Sequence, residues 1–260
     1  MKRFIFITLC MLLVSCEKDE VETQYEEVVV LKGILIAGDQ LASIGLGTIQ
    51  SIGYSSIEEP IEGASVFIAG GGQESVLGET EESPGVYSTP VDGIIILPGH
   101  DYQVDVVVNG QELTALAYVP ELLNFISISD PTLIVDENDP GQLVFETSWV
   151  EAEGYEYVFV LEEPFEDPVQ IDFSVASGNF RSVHGLPTEK TFLRIYDTDL
   201  KFYGSHLLHI YKIDLAYSDL FRYSPAVSQN VFNGPDNIIG GAGYYTGVSL
   251  VTLELEVEEL

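Results

Sequence analysis

The chain has 260 residues and sets 42 acidic against 10 basic side chains, a formal net charge of −32 at neutral pH. Such an acidic surface repels nucleic acid, and no basic run supplies a phosphate footprint, so nucleic-acid partners are excluded. A 46% hydrophobic content, with 13 Phe and 14 Tyr, excludes a disordered chain and supplies material for packed cores.

Residues 1–20 read MKRFIFITLCMLLVSCEKDE. Lys2 and Arg3 form a short basic head, and residues 4–14 are apolar except for Thr8. A helix spanning a bilayer needs about 20 apolar residues, so this run is too short and reads as a secretory signal. Leu13-Val14-Ser15 leads directly into Cys16, an order that resembles the lipobox of bacterial lipoproteins. The expectation is a signal peptide over residues 1–15, a lipidated Cys16 and an acidic tether over residues 16–27. Several acyl chains, each contributing about 0.8 kcal/mol per buried CH₂, make a durable anchor in the outer membrane. Glu17-Lys18-Asp19-Glu20 resembles the lysine-plus-acidic export signal of Bacteroidota lipoproteins, which implies exposure on the cell surface through Lys18, Asp19 and Glu20. A charged tether behind any lipidated cysteine is the plainer reading of the same residues.

Losing residues 1–15 removes Lys2 and Arg3 and makes the remainder more acidic still. The two cysteines are Cys10, inside the signal, and Cys16. The processed chain then keeps no free thiol, which excludes disulfides, thiolate metal sites and cysteine nucleophiles. High negative charge serves solubility in an exposed protein, with divalent-cation binding as the alternative.

From residue 28 the pattern is β throughout: short β-branched and aromatic runs separated by Gly, Pro, Asn and Asp. Val28-Val29-Val30-Leu31 continues into Ile34-Leu35-Ile36 as a first strand, and a Gly/Ser-rich loop is expected over residues 38–56. Strands follow at residues 64–68, 86–87 and 102–108. Asn109-Gly110 then predicts a tight hairpin into residues 113–119, because both turn positions need positive φ. Pro120 marks an expected boundary between a domain over residues 28–120 and a second over residues 121–260. In the second block, strands are expected at residues 125–128, 132–135, 143–149, 155–161, 180–183, 192–196 and 207–215, with one short helical candidate at residues 217–223. Strands at this spacing with almost no helix predict an all-β chain, two β-sandwich domains in tandem after the lipidated tether.

Two family resemblances attach to these blocks. Pro60-Ile61-Glu62-Gly63-Ala64-Ser65-Val66-Phe67-Ile68, then Pro84-Gly85-Val86-Tyr87, then Pro98-Gly99 ahead of Tyr102, resemble the carboxypeptidase-regulatory, transthyretin-like sandwich. The middle turn reads Ser83-Pro84-Gly85 where that family commonly has an acidic TDxxG turn. Trp149, Tyr157 and residues 185–195 resemble a fibronectin type III domain, with Phe192 standing where the E–F corner usually carries tyrosine. With the lipobox and the tail Asn237-Ile238-Ile239-Gly240-Gly241-Ala242-Gly243-Tyr244-Tyr245, a Gly-rich C-terminal extension, the whole is similar to the domain-of-unknown-function 4249 lipoproteins of Bacteroidota. That resemblance implies an accessory of a TonB-dependent outer-membrane transporter.

The search for chemistry yields weak candidates. The histidines are His100, His184, His206 and His209. His206 and His209 would share a metal on a helix, but a strand sends i and i+3 to opposite faces. Asp136-Glu137-Asn138-Asp139-Pro140 and Asp197-Thr198-Asp199 hold enough carboxylate for a hard cation, though both compositions also suit ordinary turns. Gly70-Gly71-Gly72 and Gly240-Gly241-Ala242-Gly243 do not lie between a strand and a helix, which argues against a phosphate cradle. No G-x-S-x-G elbow occurs, and the abundance of Asp and Glu makes any chosen carboxylate pair uninformative. Tyr217, Phe221, Tyr223, Tyr244 and Tyr245 could form a ligand platform or simply pack in a core. The expectation is therefore a non-catalytic surface lipoprotein with no catalytic residue, metal or cofactor, a ligand-binding or accessory partner of a TonB-dependent transporter. The alternatives are a surface adhesin or structural protein that binds host or neighbouring cells, and a hydrolase, which would need converging acid and base groups.

Overall fold

The last strand of the chain organises the rest. β17 (Ala242–Glu259) runs for 18 residues, and its first part lies in parallel register against β1 (Val28–Ile36), from Val30–Ala242 to Ile36–Val248. Its later part pairs antiparallel with β15 (Gly204–Asp214) and parallel with β10 (Thr132–Val135). The computed structural model describes residues 28–40, 42–52, 55–90, 93–163, 169–172, 182–222 and 237–260. Among them, no helix is long and apolar enough to cross a membrane.

Side chains alternate across a strand with period two, so odd-numbered residues of β17 share one face. Tyr245 on that face is buried in one core, while Leu255 and Val257 are buried in another. The chain is all-β, and two cores are strung along one face of a common sheet.

The first core is bounded by a hydrogen-bonded path from β1 through β2 (Ser43–Ile52), β6 (Val86–Ser88), β5 (Gln73–Glu79), β4 (Ser65–Gly70), β7 (His100–Val108) and β8 (Gln111–Val119) to β16 (Ile238–Ile239), with β3 (Ser55–Pro60) flanking β2. From β16 the chain enters β17, which returns to β1, so the path closes on itself and leaves few bare edges. Two tyrosines staple loops to this core. The Tyr87 hydroxyl donates to the Ile61 carbonyl at 2.8 Å and accepts the Ala64 N–H at 2.9 Å. The Tyr102 hydroxyl accepts the Leu97 N–H at 2.6 Å and donates to the Ile95 carbonyl at 3.2 Å. Both rings are buried at little cost because both hydroxyls are satisfied. Asn109 (φ 50°) and Gly110 (φ 80°) form the expected tight turn between β7 and β8.

The second core lies between a three-stranded sheet, β9 (Phe125–Ile128), β11 (Leu143–Trp149) and β14 (Phe192–Tyr196), and the far half of the common sheet. That half comprises β13 (Ser182–His184), β12 (Tyr155–Glu162), β15, β17 and β10. Trp149 is buried at its centre, edge-on to Tyr157 at 5.1 Å and to Phe125 at 6.3 Å, with Phe159 at 5.8 Å. Each such pair contributes about 0.5–1.5 kcal/mol beyond the area it buries. On the opposite face of the common sheet, Val158, Val160, Ile213 and Val248 form a smaller cluster with Ile34, Ile36 and Phe221. Phe221 comes from the one-turn helix α1 (Asp219–Arg222), close to the expected short helix.

Three sequence expectations are corrected. Part of residues 38–56, read as a loop, forms β2 and the start of β3. Ile44, Leu46 and Thr48 alternate inward, but Gly45 and Gly47 on the opposite face hide the period. The Gly-rich tail, assigned with residues 121–260, pairs with β8 and β1 of the first core. Its glycines are where backbones meet: a Cβ at Gly243 (φ 119°) would collide with the Leu31 carbonyl, and one at Gly247 would lie 2.6 Å from Val119 Cα. Phe192 does not occupy an E–F corner. It opens β14 on the three-stranded sheet and is 41% exposed, whereas the strands that pair with β12 are β13 and β15.

Candidate functional site

Two carboxylate–imidazole neighbours lie at one end of the β12–β15 ladder, one on each face of the sheet. Strand geometry places His206 and His209 on opposite faces, so they do not share a ligand. His209 is hydrogen-bonded through Nδ1 to Thr252 Oγ1 at 2.9 Å, and its Nε2 lies 3.4 Å from Glu162 Oε2. Hydroxyl, imidazole and carboxylate thus form a chain across β17, β15 and β12. Sequence reasoning missed Thr252 and Glu162, because cross-strand register alone brings them together. The order of groups is that of a nucleophile relay. However, the backbone of β15 around His209 is committed to ladders on both sides, so it has no free N–H pair to stabilise an oxyanion.

On the buried face, one step beyond the Glu162–Leu207 pair, Glu163 lies next to His206. The carbonyl of Gly204 accepts from His206 Nδ1 at 2.9 Å, which places the proton on Nδ1 of the neutral ring. Nε2 of His206 and Oε2 of Glu163 are both buried and have no hydrogen-bond partner among the described residues, while Glu163 Oε1 lies 3.2 Å from Lys201 Nζ. Burial pushes the His206 imidazole below its ordinary value, opposed by its bond to Gly204 and by the charges of Glu163 and Glu256.

The two acidic loops singled out as cation candidates lie side by side. Asp197, fully buried, accepts the N–H of Gly141 at 2.7 Å and that of Gln142 at 3.2 Å. Asp136 accepts the Asn138 N–H at 2.9 Å, Asp139 the Gln142 amide at 3.0 Å, and Asp199 the Tyr196 N–H at 2.9 Å. Glu137 accepts the Tyr203 hydroxyl at 2.9 Å and the Asp172 N–H at 3.0 Å. These carboxylates cap turns and hold neighbouring loops together. Among the described residues, no three His, Cys, Asp or Glu side chains gather as a metal site requires.

The remaining candidates separate. Tyr245 is buried in the first core above Gly33, whose Cβ would lie 2.8 Å from its ring, and Phe221 packs in the small cluster. Tyr223 falls outside the described residues. Gly71 (φ 56°) and Gly72 (φ 75°) form the hairpin turn between β4 and β5. One surface feature stands out against the acidic background. Phe192 on the outer face of the three-stranded sheet is flanked by Lys190 at 6.0 Å and Arg194 at 5.4 Å, and Arg194 also pairs with Glu146 at 3.1 Å.

Cys16, Lys18, Asp19 and Glu20 lie outside the described residues. No known family profile matches the chain, and no curated protein matches it. Among solved structures it is similar to titin domains z1z2 in complex with telethonin, at 12% identity and a TM-score of 0.22, covering 91% of this chain and 96% of that one. A second similar structure belongs to a 1.5-MDa bacterial ice-binding adhesin, at 11% identity and a TM-score of 0.22, covering 90% of this chain and 65% of that one. A third comprises the FN1–FN3 domains of chicken CNTN1, at 8% identity and a TM-score of 0.19, covering 90% of this chain and 66% of that one. At TM-scores this low the likenesses carry no argument about ligand, partner or activity.

Proposed function

We propose that this chain is a lipid-anchored outer-membrane protein of the domain-of-unknown-function 4249 type, displayed on the cell surface as a non-catalytic binding or accessory module beside a TonB-dependent transporter. The observation that carries this reading is the passage from the apolar run of residues 4–14 through Leu13-Val14-Ser15 into Cys16. The acidic residues 17–27 then act as the tether, and Lys18, Asp19 and Glu20 as the surface-export signal. A non-catalytic role is supported by the setting of the Thr252–His209–Glu162 chain on a ladder-committed sheet face.

Labelling cells with radioactive palmitate tests the anchor: label is expected on the native chain and absent from Cys16→Ala. Protease shaving of intact cells tests the address, with accessibility expected to fall when Lys18, Asp19 and Glu20 are all changed to Ala. Mild detergent extraction tests the partner. Recovery with a large barrel protein supports the transporter reading. Recovery alone, together with loss of cell adhesion and unchanged nutrient uptake on deletion, would replace it with the adhesin reading.

A further inference from the structure

We propose that the parallel ladder between β1 and β17 is a mechanical clamp, which makes this fold resist force applied between the N-terminal side of Val28 and the C-terminal end of β17 at Glu259. The geometry follows from strand direction. A pull from the N-terminal side draws β1 towards its own start, and a pull beyond Glu259 draws β17 towards its own end. The two strands run the same way, side by side from Val30–Ala242 to Ile36–Val248, so these pulls are opposed and lie along the strands. Ladder hydrogen bonds lie across the strands, so the load is shared by all of them and slip requires their joint rupture. An antiparallel pair would bring both loaded ends to the same side and open one bond at a time.

Two further observations support the clamp. The downstream part of β17 is held lengthwise as well, by β15 from Val248–Ile213 to Val257–Gly204 and by β10 from Glu256–Thr132 to Glu259–Val135. The β1–β17 pair is also keyed against sliding. Gly243 sits where any Cβ would strike the Leu31 carbonyl, and Gly33 sits under the Tyr245 ring. Displacing either strand by one residue drives a side chain into one of these close approaches. The line of force therefore runs along β1 and β17, with β15 and β10 sharing the load on the downstream part of β17.

The proposal does not depend on lipidation of Cys16, which palmitate labelling tests separately. Single-molecule force spectroscopy on residues 17–260 tests the clamp, since this segment contains no cysteine and accepts site-specific handles. One geometry holds the two chain ends. The other holds the N-terminal end and a cysteine introduced by Ile239→Cys, an exposed site just ahead of β17, so that the same ladder is peeled from its Val30–Ala242 end. Forced unfolding reports the barrier along the pulled direction. The expected result is a rupture force severalfold higher end to end than in the peeling geometry. Equal forces, or a lower force end to end, would overturn the proposal. Circular dichroism of the Ile239→Cys chain before handle attachment establishes that both geometries pull the same fold.

Discussion

Asp197 and Gly141 are joined by a 2.7 Å hydrogen bond from the glycine N–H to a carboxylate with no solvent exposure. The second carboxylate oxygen takes the neighbouring Gln142 N–H, and the Asp197 N–H returns a bond to the Gln142 carbonyl at 3.0 Å. This reciprocal contact fastens the loop ahead of β11 to the turn that follows β14. Asp197→Ala leaves backbone donors without their acceptor and is expected to cost about 2 kcal/mol, read from the urea midpoint at unchanged slope. Asp199→Ala, at an exposed position, is expected to cost less than half as much in the same assay.

A paired glycine experiment tests the crossing of β8 over β17. A Cβ at Gly247 would meet the Tyr118 carbonyl at 2.5 Å and Val119 Cα at 2.6 Å, and backbone cannot yield as a side chain can. Gly247→Ala is expected to destabilise by about 3 kcal/mol or more. At Gly78 in β5 an added methyl would have nothing within 4 Å, and φ is not positive there. Gly78→Ala should therefore be neutral or slightly stabilising through the unfolded chain. Thermal melts of the two variants provide the comparison.

The contrast between these two glycines shows what the sequence discloses. Alternation along β7 is plain because Tyr102, Val104, Val106 and Val108 point inward with Gln103 and Asp105 between them, whereas β12 reads as a continuous apolar run because both of its faces are buried. Period two survives in β2 as well, but Gly45 and Gly47 on its other face carry no polar signal, so the strand reads as a loop. The parallel pairing of the first and last strands leaves no local mark, since register over such a distance depends on packing. The same holds for Asp197 with Gly141, and for His209 with Thr252 and Glu162. Phe192 misleads for another reason: an aromatic shortly after Leu-Pro-Thr has the look of a corner residue, but the strands that pair with β12 are β13 and β15.

The pH dependence of stability should carry the mark of His206. Burial lowers its folded-state pKa below the ordinary 6.5, so between those two values the unfolded chain binds the extra proton. The stabilisation from keeping this ring neutral is full above pH 6.5 and is lost as pH falls below it, until the folded-state ring also protonates. The slope is bounded by about 1.4 kcal/mol per pH unit for one proton. Glu163 and Glu256 are the charged neighbours that moderate it, and Lys201 pairs with Glu163 at 3.2 Å. Denaturant titrations from pH 5 to 8 should show a shallower slope for His206→Gln than for the native chain; an unchanged slope would exclude the assignment.

Lys212 provides a test of buried charge. Its ammonium sits 4.4 Å over the Tyr155 ring and 3.4 Å from the Glu121 carbonyl, which also accepts from the Ser249 hydroxyl at 3.2 Å. Burial pushes its pKa down, so the charge is held at a cost. Lys212→Met keeps the volume and removes that cost, and is expected to change stability by less than about 1 kcal/mol. Lys212→Glu leaves an uncompensated buried charge and is expected to cost about 3 kcal/mol or more. Calorimetric unfolding of the two variants separates them.

The place of β17 in the chain also sets a timetable for folding. Residues 242–259 are synthesised after every other strand, yet the first core needs Tyr245 and the second needs Leu255 and Val257. Neither core is complete on a growing chain until these residues have been made, and contacts this distant in sequence are slow to form. For a chain exported as proposed above, the delay is useful: the polypeptide reaches the translocation machinery still threadable, and both cores become available in one step once the final strand has crossed.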